Sequence, residues 1–429
     1  MTKLKQKFFS GLKWTSVGMI SLAVVSMLKI SVLARFLDKE DFGLMALIMV
    51  VIGFTNLFSD MGITTAILHR QEISKKEYAS LYWLNVGFSL MLYLLICGLA
   101  PVIASFYDEE RLSFLIPLLG LNLIISAIGR MFKTIESKHL RFRAVTIFEM
   151  VAAGISLIIA VVLAVKGFGV LSLVYSALVQ YLIQNVFFLI FGLRRYGLLF
   201  HFHFHQTKPF LKIGIYEVGG QVVNYFNRDV DILIVGKFFG QEVLGGYSLA
   251  KQLVFRPAQI LNPIVLKVAS PALAKCQADP KSLKDSYLNL VSFITKLNLV
   301  VYGALGAGSF FVVDLFYGAG YEDIYLLTSV LCIYMLFRAI GNPVGSLLVA
   351  TGKTYLGFYW NSFTFLIIPV LVFFGARFGV LGIAIALNST MVLLFYPSWW
   401  FLIRKMTGAS FREYLWAVIR IPDRNFLKL

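Results

Sequence analysis

Charged residues inside long apolar stretches are the part of this sequence best suited to hold a ligand. The basic ones are Lys29, Arg130, Arg228, Lys251, Arg256, Lys267, Lys296 and Arg338, and the acidic ones are Asp60, Glu149, Glu217, Asp229 and Asp231. If these stretches cross a membrane, each charge costs at least ~2.5–3.5 kcal/mol and should face a wet cavity or a partner. Because the basic residues outnumber the acidic ones by three, an anionic ligand is expected to neutralise the remainder.

The depth of each charged residue within its apolar stretch divides them into groups. The predicted cationic cavity is lined by Arg228, Lys251, Arg256, Lys296 and Arg338, together with Lys29, which lies nearer the end of its stretch. The residues Asp229, Asp231 and Asp60 are candidates for charge pairing or ion coupling. Arg228 and Asp231 are three residues apart, on one helix face, so they can pair with each other. The alternative is purely structural, with the cations balancing Asp229 and Asp231.

Four other charged residues lie near the ends of their apolar stretches. These are Arg130, Lys267, Glu149 and Glu217. Long side chains in such positions commonly extend to the lipid headgroups. We therefore do not assign these four residues to the cavity.

The apolar stretches themselves predict an all-α membrane protein. The chain of 429 residues is 59% hydrophobic and only 14% charged, and about 20 apolar residues in a helix cross a bilayer. Twelve such stretches occur, at 14–34, 42–67, 79–104, 112–132, 144–165, 168–193, 213–235, 244–273, 287–313, 324–350, 355–376 and 378–403. They predict a six-helix bundle over 1–193, a linker over 194–212, a second six-helix bundle over 213–403 and a tail over 404–429.

An internal repeat relates the two predicted bundles. The segment from Arg35 to Gly43 matches the segment from Lys237 to Gly245 at an offset of 202 residues, with a shared Glu and a shared Gly. The sequence Phe-Gly-Val-Leu occurs at 168–171 and again at 378–381, before the last stretch of each half. Duplicated halves are common in transporters, whose substrate path runs between them.

The distribution of basic residues predicts the orientation. If the N-terminus is cytoplasmic, the inner segments hold 25 Lys and Arg residues and the outer segments hold six. Inner loops of membrane proteins carry such an excess. We therefore expect both termini and the 194–212 linker on the cytoplasmic side. The net charge of +17 is explained by this bias rather than by nucleic-acid binding.

Enzyme signatures are not recognisable in the sequence. It contains no phosphate-binding loop of the Walker type, no GxSxG and no HExxH, which are the common local signatures of nucleotide hydrolysis, esterases and zinc proteases. The three cysteines have no metal or redox spacing. We expect a protein that is not an enzyme, with no metal site and no cofactor. A coupling cation, proton or sodium, is left open.

A series of short motifs, in order along essentially the whole chain, resembles one family. The motifs are Val32-Leu33-Ala34-Arg35-Phe36-Leu37, Asp41-Phe42-Gly43, Asp60-Met61-Gly62, Leu140-Arg141-Phe142-Arg143, Gly167-Phe168-Gly169-Val170-Leu171-Ser172-Leu173, Asp231-Ile232-Leu233-Ile234-Val235-Gly236, Leu244-Gly245-Gly246-Tyr247-Ser248-Leu249-Ala250 and Pro271-Ala272-Leu273. The chain resembles polysaccharide exporters of the multidrug/oligosaccharidyl-lipid/polysaccharide (MOP) flippase superfamily. It is most similar to Wzx-type flippases and to teichuronic or colanic acid exporters.

The resemblance implies a fold, a location and a substrate. It implies two six-helix bundles around a central cavity that opens alternately to each side of the bacterial cytoplasmic membrane. It also implies a lipid-linked oligosaccharide as the substrate, carried on undecaprenyl pyrophosphate, and an association with polysaccharide polymerase or export machinery. Members of the family often have fourteen helices, whereas twelve are predicted here.

Two other classes of function stay open at this point. A drug or cation antiporter of the same superfamily would share the bundles, but its cavity would be more acidic than the one predicted here. A membrane polymerase or ligase of the same pathway is less compatible with the internal repeat.

Overall fold

The computed structural model describes residues 2–70 and 73–421, which fold almost entirely into α-helices. The helices are α1 Thr2–Leu33, α2 Lys39–Ser59, α3 Ile63–His69, α4 Lys75–Tyr107, α5 Arg111–Lys138, α6 Phe142–Val165, α7 Val170–Tyr196, α8 Phe204–Lys275, α9 Pro280–Ala307, α10 Ser309–Tyr317, α11 Tyr325–Gly341, α12 Pro343–Thr351, α13 Thr354–Ala376, α14 Gly379–Ser398, α15 Arg404–Thr407 and α16 Phe411–Ile419. A π-helical segment, Trp399–Ile403, joins α14 to α15.

The helical architecture confirms the predicted class of an all-α membrane protein. Within the described ranges, ten helical segments are long and apolar enough to cross a membrane. Helix α8 is 72 residues long and contains both the seventh and the eighth predicted stretches. Its two arms, 204–239 and 241–275, are separated by Gly240, whose φ of 78° and ψ of 178° interrupt the helical conformation. Glycine adopts this conformation without a steric penalty.

Several predicted stretches are interrupted where the sequence contains helix-breaking residues. The second stretch is divided between α2 and α3 because Met61 and Gly62 have positive φ angles of 49° and 66°. The tenth is divided between α11 and α12, immediately before Pro343. Proline has no backbone N–H and is tolerated best in the first turn of a helix.

The chain divides into two compact units, and the boundary differs from the predicted one. The first unit is Met1–Tyr225 with Gly240–Gly245, and the second is Phe226–Phe239 with Gly246–Leu429. The non-helical segment between α7 and α8 covers only 197–203, which is shorter than the predicted 194–212 linker. Helix α7 ends where Gly197 adopts a φ of +68°, and the polar residues from 204 onward are already helical. The division into two bundles of six helices stays a prediction.

The duplicated Phe-Gly-Val-Leu sequences each contain a glycine with a positive φ angle. Gly169 has a φ of 53° and Gly379 a φ of 82°, and each lies at the start of a helix, α7 and α14 respectively. Both copies therefore use glycine to turn the chain into the last long helix of a half. In the first copy the Val170 amide also donates to Asp41 Oδ1 at 2.9 Å.

The other duplicated motif forms a contact within the first unit. A Cβ atom on Gly43, in α2, would overlap the carbonyl oxygen of Gln241, and one on Gly245 would overlap the carbonyl oxygen of Lys39. Gln241 and Gly245 are the counterparts of Lys39 and Gly43 at the offset of 202 residues. The contact is therefore symmetric under exchange of the copies, like the interface of a two-fold dimer. We call it the glycine crossing.

In the second unit, the short helix α16 packs along α9. Ser410 and Glu413 form a reciprocal N-terminal cap, and Lys284 Nζ donates to Glu413 at 2.8 Å. These hydrogen bonds, chiefly the one from Lys284, lower the pKa of Glu413 to about 2. At the other end of α16, Ser292 Oγ donates to the Arg420 carbonyl at 2.7 Å. The predicted tail thus begins with a docked amphipathic helix.

Candidate functional site

The bend of α8 brings charged residues of its two arms together. Asp231 lies nine residues before Gly240, and Lys251 lies eleven residues after it. At 1.5 Å per residue, both are about 14–16 Å along the helix axis from the bend. If the bend lies at the membrane surface, the charges are near the middle of a hydrocarbon layer of ~30 Å.

Lys251 is the centre of this group, which we call the α8 ion cluster: Arg228, Asp229, Asp231, Tyr247 and Lys251. Lys251 Nζ donates to Asp231 Oδ1 at 2.7 Å, to Asp229 Oδ1 at 3.2 Å and to the Arg228 carbonyl at 2.7 Å. The Tyr247 hydroxyl donates to Asp231 Oδ2 at 2.5 Å. The Lys251 side chain is 8% exposed and the Asp231 side chain 3%. The ammonium therefore has carboxylate partners where water is largely excluded.

The arginine of the ion cluster is more accessible than its lysine. Arg228 Nη2 donates to Asp229 Oδ2 at 2.7 Å, and its side chain is 45% exposed. The helical spacing allows Arg228 to pair with Asp231, whereas the structure pairs Arg228 with Asp229 and binds Asp231 to Lys251 and Tyr247. The reason is the second arm of α8, which no local spacing reveals.

Arg338 joins the ion cluster through an aromatic ring. Its guanidinium lies 5.6 Å from the centre of the Phe255 ring, and Lys251 Nζ lies 5.5 Å from that centre. Arg338 also donates to the Tyr334 hydroxyl at 2.6 Å. Such cation–π contacts hold a guanidinium in place without neutralising its charge. Among the described side chains, Arg228, Lys251 and Arg338 against Asp229 and Asp231 thus give an excess of one positive charge.

Two other cavity candidates of the second unit have different surroundings. Arg256 is half-buried and donates to Gln259, on its own helix, at 3.1 Å. Lys296 Nζ donates to the Ile419 carbonyl at 2.6 Å. That carbonyl belongs to the last residue of α16, where a cation is favourable because it satisfies the helix end. The structure therefore places Lys296 at the docked tail rather than at the ion cluster.

The remaining candidates belong to the first unit. Lys29 Nζ donates to Ser156 Oγ at 2.9 Å. Asp60 accepts hydrogen bonds from the amide and the hydroxyl of Thr64, at 3.2 and 2.6 Å. The Asp60 carboxylate thus stabilises the first turn of α3, where unsatisfied amides need an acceptor. Its coupling role stays a prediction.

The four residues near the ends of their stretches are only partly described. Arg130 donates to Ser59 Oγ at 2.9 Å, and Glu149 pairs with Lys133 at 2.6 Å. The side chains of Lys267 and Glu217 lie outside the described part of the structure.

Sequence reasoning missed the neutral residues that organise the charges. Tyr247 is fully buried, and it lies four residues before Lys251, on the same helix face. That spacing is visible in the sequence, but its meaning depends on the neighbouring arm. Asn227 Nδ2 donates to Thr364 Oγ1 at 2.9 Å and to the Asn361 carbonyl at 3.1 Å, which ties α8 to α13 beside the ion cluster. Among the described side chains, no three His, Cys, Asp or Glu residues converge as metal ligands.

Known proteins share both the sequence pattern and the fold. The family described as polysaccharide biosynthesis protein matches residues 32–326. The lipopolysaccharide biosynthesis protein WzxC of Escherichia coli (strain K12) is 30% identical, over 96% of this chain and 84% of that protein. The teichuronic acid biosynthesis protein TuaB of Bacillus subtilis (strain 168) is 28% identical, over 89% of this chain and 79% of that protein.

Solved structures with low sequence identity show the same architecture. The lipid II flippase MurJ in an inward closed conformation has a TM-score of 0.76 at 16% identity, covering 96% of this chain and 90% of MurJ. An inward-facing multidrug MATE transporter of the MOP superfamily has a TM-score of 0.68 at 14% identity, covering 92% and 100% of the two chains. Fold and charges thus define a multi-pass membrane protein with the MOP transporter fold.

The sequence relatives define the family within that fold. The chain belongs to the polysaccharide biosynthesis protein family. The resemblance predicted from its short motifs is thereby confirmed.

Proposed function

We propose that this protein is a flippase that moves a lipid-linked oligosaccharide from the inner to the outer leaflet of the bacterial cytoplasmic membrane by alternating access. The observation that carries the proposal is the net positive charge of the described side chains of the α8 ion cluster and Arg338, on a chain of this family. A phosphate-bearing headgroup that leaves water needs such charge. Arginine is suited to it because its planar group makes paired hydrogen bonds to phosphate oxygens.

Within this proposal, the residues of the ion cluster have separate tasks. Lys251 is bound by both carboxylates, so it stabilises the cluster. Arg228, nearly half exposed, and Arg338, half-buried, are the residues that contact the undecaprenyl pyrophosphate group. Arg256 extends the positive surface along the second arm of α8. The protein acts as a transporter and not as an enzyme, and no cofactor takes part.

Transport in proteoliposomes tests the assignment of Arg228 and Arg338. Either residue changed to Gln should lower the transport rate of a fluorescent lipid-linked oligosaccharide roughly 10- to 100-fold, because a charged hydrogen bond is worth about 1.5–3 kcal/mol. Arg228→Gln should still fold, since Asp229 keeps the ammonium of Lys251 at 3.2 Å. Arg338→Lys should retain part of the rate because the charge survives.

The matched control is Arg377→Gln. Arg377 is an exposed arginine at the end of α13 that also packs on an aromatic ring, 5.3 Å from the centre of Phe374. Its loss should leave transport unchanged. Equal losses in all three variants, at equal protein amounts, would contradict the assignment. Export of a cationic dye without transport of the oligosaccharide would instead favour the antiporter.

The proposed orientation, with both termini cytoplasmic, can be checked by labelling. Lys208 is exposed in the first turns of α8, within the predicted linker. In a background with Cys97, Cys276 and Cys332 changed to Ser, Lys208→Cys should resist an impermeant thiol reagent in intact cells and react in inverted vesicles. Lys166→Cys, exposed between α6 and α7, should show the opposite pattern. Labelling of Lys208→Cys in intact cells would contradict the proposed orientation and place this segment on the outer side.

A further inference from the structure

A second positively charged site lies in the first unit. It is a cavity of about 260 Å³ where α5 ends and α6 begins, and its walls include Glu136, Arg141, Arg143 and Arg195. The chain turns sharply between these helices, with Leu140 at a φ of +57°. The turn contains the Leu140-Arg141-Phe142-Arg143 motif. The transport mechanism proposed above assigns no role to these residues.

The three guanidinium groups of this cavity are held in place while remaining accessible. Arg141 donates to the Tyr196 hydroxyl at 3.2 Å. Arg143 lies 5.5 Å from the centre of the Trp14 ring, and Arg195 lies 5.7 Å from that of Phe191. The side chains of Arg141 and Arg195 are 41% and 40% exposed. Each arginine has five N–H donors, so donors are left for a ligand.

A buried acceptor at the back of the cavity is unsatisfied. Glu136 is 1% exposed. Its Oε1 accepts from the Tyr196 hydroxyl and lies 3.7 Å from Arg141 and 4.0 Å from Arg195. Its Oε2 is buried and has no hydrogen-bond partner. A buried polar atom without a partner is costly, and a ligand with a donor group would remove that cost.

These two features together describe the ligand. Among the described lining residues, three arginines against one glutamate give the cavity two positive charges, which suits a phosphate group. The orphaned carboxylate oxygen requires a hydroxyl donor within a few ångströms of that phosphate. We propose that this cavity binds a glycosyl phosphate, with Arg141, Arg143 and Arg195 on the phosphate and Glu136 Oε2 accepting from a sugar hydroxyl.

The position of the cavity gives this site a role that rests on the proposed flippase function. The inner segments hold the excess of basic residues, so the end of the unit that contains Arg141 and Arg143 faces the cytoplasm. Lipid-linked sugars in the inner leaflet present their phosphates at that level. The cavity therefore holds the headgroup of the substrate before it reaches the transport path.

Binding to the purified full-length protein tests this site directly. The probes are glucose 1-phosphate and inorganic phosphate, measured by isothermal titration calorimetry in detergent. Glucose 1-phosphate should bind at least about tenfold more tightly than inorganic phosphate, because only it reaches Glu136. Arg141→Gln should weaken both probes about tenfold, since each loses a charged hydrogen bond.

Two further variants distinguish the sugar contact from the general charge. Glu136→Gln keeps an acceptor for Tyr196 but replaces the orphaned oxygen by an amide donor, so the ratio between the two probes should fall toward one while phosphate still binds. Arg194→Gln removes an exposed arginine next to Arg195 that does not line the cavity. It should leave both affinities unchanged.

Three results would overturn the inference. The first is equal affinity of the unmodified protein for the two probes, and the second is an equal loss in Arg194→Gln. The third is displacement of glucose 1-phosphate by nanodiscs of phosphatidylethanolamine or phosphatidylglycerol, which would make the cavity a site for membrane phospholipid. If the unmodified protein transports the lipid-linked oligosaccharide in proteoliposomes and still gives one of these results, the glycosyl phosphate site is refuted, whereas the proposed flippase function is supported.

Discussion

Replacing Lys251 by methionine should lower the free energy of unfolding of the second unit by about 3–5 kcal/mol, because two buried carboxylates then lack the ammonium group that they bind. Asp229 and Asp231 lie within 3.2 and 2.7 Å of Lys251 Nζ. Because methionine retains much of the side-chain volume of lysine, the loss of stability measures the removal of the charge rather than a change in packing. Thermal unfolding in detergent, followed by size-exclusion chromatography, measures the effect.

Restoring neutrality should recover most of that loss. In the double variant Lys251→Met, Asp231→Asn, the Arg228–Asp229 pair remains, and the amide oxygen of residue 231 can still accept from the Tyr247 hydroxyl. Lys296→Met is the matched control, because Lys296 donates to one carbonyl at an exposed position, and its loss should cost only about 1 kcal/mol. Unchanged stability in Lys251→Met would show that the ion cluster does not stabilise the fold.

Replacing Gly43 by valine should abolish transport through a backbone clash. A Cβ on Gly43 would overlap the carbonyl of Gln241, so the glycine crossing cannot close. Gly245→Val should have the same effect at Lys39, and Gly43→Ala a smaller one. Transport in proteoliposomes and protein amount in the membrane are the measurements. Gly87→Val is the control, since a Cβ at Gly87 meets no atom within 4 Å.

Cross-linking shows whether the glycine crossing opens during transport. Glu40 and Glu242 are exposed neighbours of the crossing, and they occupy equivalent positions in the two copies of the repeat. A Glu40→Cys, Glu242→Cys protein in a cysteine-free background should cross-link and lose transport until the link is reduced. A linked protein that transports normally would mean that the crossing is static.

The sequence contained enough information for the class of fold because that information is local. Apolar stretches of about 20 residues and the bias of Lys and Arg are properties of neighbouring positions. The helices confirm the membrane-protein class that the apolar stretches predict, and the orientation stays a prediction. The repeat placed Gly43 and Gly245 in equivalent positions, although not in contact. Where a helix ends depends on single residues such as Gly197 and Gly240, which a hydropathy pattern does not resolve.

The partners of the buried charges depended on tertiary structure. Arg228 and Asp231 have the spacing of a helical pair, but the second arm of α8 brings Lys251 to Asp231 across the Gly240 bend. The sequence predicted Lys296 as a cavity residue because it lies within an apolar stretch. No sequence pattern indicates that α16 packs against α9 and brings the Ile419 carbonyl to Lys296. The unsatisfied oxygen of Glu136 is likewise invisible in sequence, since it results from burial by three separate helices.

The symmetry of the glycine crossing implies a history for this chain. A contact in which each side is a copy of the other can be formed by two identical polypeptides, so a half-length ancestor could have built it by pairing with itself before the gene was duplicated. The α8 ion cluster is not repeated in this way. At the offset of 202 residues, the positions of Arg228, Asp229, Asp231 and Lys251 are occupied by Ser26, Met27, Lys29 and Met49. The glycine contact is thus common to both copies of the repeat, whereas the charged centre is present in only one half.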